Sequence, residues 1–377
     1  MKILLFVDDY PDETNLPGDM FAHTRARLYS ERAQVLVLRR AKKSRRLAYE
    51  KIAIRDYVTS DEALAQVVEY QPDIAAVHFA SEPFISELSP FLACPLIVWV
   101  HGFEALAWHR RRFDMQLSDW LPNRVLFRHM RSRQRLGSFA KLIDRSNAGN
   151  PIHFVFVSNW MKKVCEADTQ RQVRCHSTIP NPIDVTRFVN SPFGPRRRNL
   201  LVIRSSRTLK YAPDIVANVV SNVIKQGNGN FSCRIFSDGA LFDKYFAPLS
   251  RIDRIEVHRG FLSQEEIIEQ HKWGGFFICP TRQDAQGVSM CEAMASGLIV
   301  ATIPVTAIPE FISDEIAVLS KSAAGLVKGI LEVAKDAQLE ANMSQAAAAH
   351  ISATLDASTI VERELRLMRR YAFNTAV

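Results

Sequence analysis

The chain of 377 residues is 47% hydrophobic and 23% charged, a globular composition that excludes a disordered segment, a collagen-like repeat and a disulfide-stapled miniprotein. At about 150 residues per domain it has room for two domains, at most three. Lys and Arg outnumber Asp and Glu by 48 to 40, a net +8 that favours anionic partners.

Short β-branched or aromatic runs alternate with helix-length segments, the pattern of parallel sheets covered by helices. The chain opens on Lys2–Val7, which meets Asp8 and Asp9 too early for a signal peptide and reads as a buried first strand. Ala33–Leu38, Ile74–Phe79, Leu96–His101 and His153–Ser158 continue the series. Each is nearly continuously apolar, as a strand covered on both faces should be. The longest apolar run, Phe91–Val100, contains Pro95 and is far shorter than the roughly 18 residues a membrane helix needs. Thr178–Phe188 and Pro192–Asn199 are rich in Pro and turn formers and mark a boundary. A second series comes next, at Leu200–Ile203, Phe231–Ser237, Ile255–Arg259, Gly275–Pro280 and Leu298–Ile303. Residues 323–377 read as helical, with Val361, Leu365 and Met368 at i, i+4 and i+7 and Ser358 as a cap.

The expected organisation is α/β: a Rossmann-like domain over 1–184, a second over 185–356 and a terminal helix over 357–377. Open parallel sheets bind ligands at the carboxyl ends of their strands, so two such domains leave a cleft there. Cys94, Cys165, Cys175, Cys233, Cys279 and Cys291 form no Cys-x-x-Cys pair and have no His partner at zinc spacing. That pattern points to a reducing, cytoplasmic compartment and away from a structural metal.

The stretch Pro280-Thr-Arg-Gln-Asp-Ala-Gln-Gly-Val-Ser-Met-Cys-Glu-Ala-Met-Ala-Ser-Gly297 lies after an apolar strand and opens a helix near Gly287. Free N–H groups and the helix dipole at such a turn suit anionic or hydroxyl oxygens. Asp284 on the loop and Glu292 in the helix suit vicinal hydroxyls. On spacing alone, Asp284 as a helix cap and Glu292 in a surface pair fit equally well.

Here the sequence resembles the family 4 retaining glycosyltransferases of the GT-B fold. Their donor-site signature is Glu-x7-Glu with Phe-Gly after the first acid; this chain has Asp284 as the first acid and Gln286 before Gly287. Ala-Met-Ala-Ser-Gly297 and Pro309-Glu310 are similar to the family's residues downstream of that signature. Asn181-Pro-Ile-Asp184 with Phe188, Gly260-Phe-Leu with Glu265-Glu-Ile, and His101-Gly-Phe-Glu104 resemble further family segments. The match runs through about 178–312 and is thin over 1–95.

The resemblance implies a domain order with the C-terminal helix crossing back to the first domain, and it implies roles for individual residues. Glu292 would bind the ribose of a nucleotide sugar. Asp284 would bind hydroxyls of the transferred sugar, helped by backbone N–H groups at Gly287, Val288 and Ser289. Arg204 and Lys210, in Arg204-Ser-Ser-Arg-Thr-Leu-Lys210, would stabilise the departing diphosphate without a metal or other cofactor. Arg207 competes for that role, and Tyr211 stands where the family has Gly. His101 would contact the donor sugar, and Gly18 would begin a glycine loop near the acceptor. Solvated loop cations, a hydrogen-bonded structural histidine and a simple turn at Gly18 are the plain alternatives. The family lacks a nucleophile placed for double displacement, so retention implies same-face attack.

Two basic stretches lie in the first half. Residues 39–51 sum to +6 and residues 109–145 to +7, the latter interleaved with Trp108, Phe113, Trp120, Leu126, Phe127, Phe139 and Leu142. Such stretches suit an anionic membrane surface, a solvated face or nucleic acid. The reading that results is a metal-independent retaining glycosyltransferase serving polysaccharide or cell-surface glycan synthesis, cytoplasmic and peripheral at the inner membrane face. Its partners are a nucleotide sugar and a glycan or polyprenyl-linked saccharide acceptor, not nucleic acid. The alternatives are a sugar-nucleotide-binding protein without catalysis, motivated by Asp284 and Gln286, and, last, a basic nucleic-acid-binding protein.

Overall fold

The structure, a computed structural model, describes residues 1–12, 19–115, 120–190 and 198–373. Gly18, expected to begin an acceptor loop, lies outside them. The chain separates into two compact units, residues 1–182 with 358–377 and residues 183–357.

The first unit contains β1 (Lys2–Val7), α1 (Met20–Ser30), β2 (Gln34–Arg40), β3 (Arg46–Tyr49), β4 (Ile52–Tyr57), α2 (Ser60–Tyr70) and β5 (Ile74–His78). It continues with β6 (Leu96–Val100), α3 (Pro122–Asn147), β7 (Ile152–Phe156), α4 (Asn159–Thr169) and β8 (His176–Thr178). Its eight strands lie in the order β3-β4-β2-β1-β5-β6-β7-β8. All pairs are parallel except β3 with β4. β1, β5, β6 and β7 are buried almost throughout, which their continuous apolar runs required.

Part of the basic stretch 39–51 is paired in the structure. Arg39 is buried, bonded through Nε to Asp56 at 2.7 Å and through Nη1 to Asp12 at 2.6 Å. Arg45 reaches Asp56 at 3.0 Å, and Arg46 reaches Glu69 at 3.4 Å. Carboxylates distant in sequence neutralise cations that look unopposed when read locally.

The second unit contains β9 (Asn199–Ile203), α5 (Pro213–Gln226), β10 (Ser232–Ser237), α6 (Phe242–Tyr245), β11 (Ile255–Arg259), α7 (Gln264–Trp273) and β12 (Phe276–Ile278). α8 (Val288–Ala295), β13 (Ile299–Thr302), β14 (Ala317–Leu319), α9 (Ala323–Val333) and α10 (Ala337–Leu355) complete it. Its six strands are all parallel, in the order β11-β10-β9-β12-β13-β14. The core joins β9, β10, β12 and β13 to the apolar faces of α5 and α9.

α11 (Ala357–Ala372) begins one residue before Ser358, so that residue lies inside the helix. Ile360, Val361, Leu365 and Met368 pack among β1, β2, β5 and β6 in the core of the first unit. Glu364, on the same helix face, is fully buried there. Its carboxylate accepts from Arg25 Nε at 2.9 Å, Trp99 Nε1 at 3.1 Å and Tyr29 Oη at 2.5 Å. A buried charge survives only when paired and bonded in this way.

Candidate active site

Each sheet changes its winding direction once. In the second unit the change falls between β9 and β12, because β10 and β11 extend to one side and β13 and β14 to the other. Loops leaving the two strands at such a point must diverge, and the gap is where open sheets bind ligands. Arg204 is the residue after β9, and residues 279–287 leave β12.

Arg204 is 8% exposed. Its Nη1 donates to Ser289 Oγ at 3.1 Å and its Nη2 to the Cys279 carbonyl at 3.1 Å. Its buried Nε has no hydrogen-bond partner among the described residues. The guanidinium is thus fixed beside the first turn of α8. Lys210 sits on the same loop, and its carbonyl accepts from the Arg282 N–H at 2.8 Å and from Thr281 Oγ1 at 3.1 Å. The two cation-bearing segments are therefore tied to the loop before α8 by both side-chain and backbone bonds. Arg282 completes the tie, donating to both carboxylate oxygens of Asp214 at 2.8 and 2.6 Å. Desolvation pushes the Asp214 carboxyl up, but the Arg282 bonds outweigh it and hold the group below its usual range.

Tyr211 joins the cations, and sequence reasoning missed it. Its ring lies 4.6 Å from the Arg204 guanidinium and 4.7 Å from Lys210 Nζ, which also donates to its hydroxyl at 3.2 Å. The signal was an aromatic directly after Lys210, but only the fold brings both cations to one ring. Arg207 departs from this group: it is exposed and stacks on Phe261 at 5.3 Å. Gly239 allows this turn to form, since a Cβ there would stand 2.3 Å from the Arg207 nitrogen.

Gly287 caps α8 with φ +83, a left-handed conformation that favours glycine. The N–H groups of Val288 and Ser289 open the helix, where no carbonyl one turn back can take them. Asp284 approaches this end, but its Oδ1 accepts from the Gly287 N–H at 3.1 Å and more weakly from the Gln286 N–H at 3.4 Å. In this state it braces the turn, the plainer of the two sequence readings. Thr306, itself at φ +54, clasps the same residue: Oγ1 accepts from the Asp284 N–H at 3.0 Å and donates to the Asp284 carbonyl at 2.8 Å. A β-branched residue held left-handed beside the loop stores backbone strain.

Glu292 lies one turn beyond Ser289, so the two share a side of α8. It is partly exposed, and its carboxyl makes no hydrogen bond within the described residues. Desolvation pushes the group up to about 8, with a smaller downward pull from Arg187. The structure thus gathers Arg204, Lys210, Gly287, Val288, Ser289, Asp284 and Glu292 around the opening of α8, with Arg207 on the outer side of the turn.

His101 comes directly after β6 in the first unit. Its Nε2 lies 2.8 Å from Nδ1 of His78, the last residue of β5, and its ring packs against Phe21 and Phe79. Burial lowers both imidazoles well below the usual histidine range. Glu104 accepts from the N–H groups of His101 at 2.5 Å and Gly102 at 3.1 Å. Its desolvated carboxyl is pushed up to about 7, and so is Asp19, by burial and then by Asp9, Asp8 and Glu104.

Residues 198–336 match the family model described as glycosyl transferases group 1. No protein of curated function matches the sequence. Sucrose-phosphate synthase from Thermosynechococcus elongatus superposes with a TM-score of 0.74 at 11% identity, covering 99% of this chain and 100% of that one. HepE from Anabaena, solved with UDP and glucose, gives 0.72 at 15%, covering 98% and 99%. A glycosyltransferase from Rickettsia africae gives 0.69 at 12%, covering 99% of both chains. At such identities the likeness is one of fold, and that fold is GT-B. Within it, the match to the glycosyl transferases group 1 model falls in the second unit, over residues 198–336.

Proposed function

We propose that this protein is a retaining glycosyltransferase that moves a sugar from a nucleotide diphosphate to a glycan or lipid-linked saccharide acceptor. One observation carries the reading: Arg204, at the end of β9, is bonded directly to Ser289 in the first turn of α8. That contact joins a fixed cation to unsatisfied helix N–H groups at the switch point, a combination suited to a diphosphate. HepE, solved with UDP-glucose, offers a precedent for the ligand class on the same fold.

Cleaving the sugar–phosphate bond leaves negative charge on the β-phosphate. Arg204 and Lys210 lower the barrier by holding positive charge where it develops. Tyr211 keeps both side chains from folding away. This chemistry needs no metal in our reading, because the cations take the role a divalent ion would fill. Glu292 accepts the ribose hydroxyls, and Asp284 leaves the Gly287 amide to take a sugar hydroxyl when the donor binds. His101 presents a neutral imidazole to the donor sugar. Attack comes from the face the phosphate leaves, and the phosphate takes the acceptor's proton. The acceptor would be met at the inner face of an anionic membrane.

A second reading, a nucleotide-sugar binder without catalysis, is favoured by Asp284, whose carboxylate is occupied by the loop's own amides. Thermal-shift titration with UDP, GDP, ADP and dTDP and their sugars, combined with an assay for sugar release, separates the two. Stabilisation with release supports transfer, and stabilisation without release supports the binder. No response to any nucleotide removes both.

A further inference from the structure

α3 is 26 residues long, but its buried residues are Ser132, Phe139, Ala140, Leu142, Ile143 and Ser146, all in its later part. From Pro122 to Arg131 every residue is exposed except Val125, which is half-buried. At about 1.5 Å per residue this is an arm of roughly 15 Å that buries no residue fully. Ten residues of isolated helix are marginal in water, so the arm gains most from a partner that covers it.

Its composition identifies the partner. Leu126, Phe127 and Met130 are 57%, 58% and 60% exposed, and Trp120 and Leu121 just before the helix are each 50% exposed. At about 100° per residue, Leu126, Met130 and Phe127 fall within an arc of about 100°. Arg124, Arg128 and Arg131 fall together on the adjoining side, and Arg131 stacks on Phe127 at 5.1 Å. From Trp120 through Lys141 the sequence holds six Lys and Arg residues and no acid. A second copy of the same arm would set like charge against like charge. An anionic bilayer accepts both faces, the apolar one at the acyl boundary and the cations among the headgroups.

We infer that the first half of α3, with Trp120 and Leu121, is an anchor that inserts into anionic lipid bilayers. This gives a location to the membrane contact in the proposed function.

The test uses the full chain and vesicles, with no sugar, so its outcome is independent of glycosyl transfer. Flotation compares phosphatidylcholine vesicles with vesicles that also contain phosphatidylglycerol. The wild type should float with the anionic vesicles, and the triple variant Leu126→Gln, Phe127→Gln, Met130→Gln should bind about tenfold less or worse. The substituted positions are exposed, so circular dichroism should be unchanged. The control Lys42→Gln, Lys43→Gln should bind within about twofold of wild type. A fluorescence blue shift on binding should vanish in Trp120→Phe. Three results would overturn the anchor: no flotation of the wild type, equal flotation of the triple variant, or a wild-type dimer in solution that the triple variant abolishes.

Discussion

The two sheets reach the same topological feature with opposite chemistry. In the first unit the winding changes between β1 and β5, and near those strand ends stand His78, His101, Asp19 and Glu104. Burial keeps the imidazoles neutral and pushes both carboxyls up to about 7, so this group holds no cation and only part of its negative charge near neutral pH. In the second unit the corresponding point is lined by Arg204 and Lys210 beside a helix N-terminus. A parallel sheet provides the location, and the residues at its strand ends decide what can bind. A cationic end suits a diphosphate, while an end without cations and rich in hydrogen-bonding groups suits hydroxyls.

The units also differ in how their charges are held, and this gives the largest expected effect. Glu364 and Arg25 form a buried pair in the first unit, with side-chain exposure of 0% for both. Removing one partner of such a pair costs about 3–5 kcal/mol because the other charge is stranded. Glu364→Ala should therefore unfold at much lower denaturant, as monitored by circular dichroism. A shift within experimental error would mean that the pair contributes nothing to the first unit.

Next come the cations of the second unit. Arg204→Ala or Lys210→Ala should lower turnover about 10²–10³-fold, the range found for losing one charge-stabilising donor, with the thermal midpoint nearly unchanged. Steady-state assays would settle it. Wild-type turnover in both variants would erase the contrast between the two switch points.

Glu292 sharpens the contrast through pH. With its carboxyl at about 8, the free protein holds it largely protonated at neutral pH. Hydroxyls donating to the ionised form lower that value on binding, so a proton is released and affinity rises with pH until about 8, then levels. The slope is at most about tenfold per pH unit. Glu292→Gln should bind nucleotide more weakly and without this part of the pH dependence, as calorimetry at several pH values can measure. A parallel pH profile in wild type and variant would place Glu292 away from the ligand.

Tyr211 gives the smallest effect. Tyr211→Leu removes a ring that holds two cations, a contact of about 0.5–2 kcal/mol, so the donor KM should rise a few-fold with kcat little changed. An unchanged KM would show that Arg204 and Lys210 hold their positions without the ring.

Much of the framework was legible. Lys2–Val7 and Ile255–Arg259 are strands with the expected limits, and other runs differ by a residue or two. Strands buried on both faces must be continuously apolar, which makes them easy to read. β3 was missed because it is half-exposed within a basic stretch, and β4 because Arg55 and Asp56 interrupt its short buried apolar run. Gly287 was legible because a left-handed cap calls for glycine. Which of the two readings of Asp284 holds, and the place of Tyr211 beside two cations, were not.

What the sequence determined by itself was therefore periodic and local: strand runs, the turn at Gly287, and the basic and acidic positions near it. The tertiary structure decided which charges are used up internally and which remain for a ligand or a surface. Arg39 and Glu364 are neutralised by residues remote in the chain, whereas the apolar face of the α3 arm meets no such partner among the described residues. The reason is physical. Hydrophobic period and backbone preference act over a few residues, but desolvation and charge pairing depend on neighbours that only folding supplies.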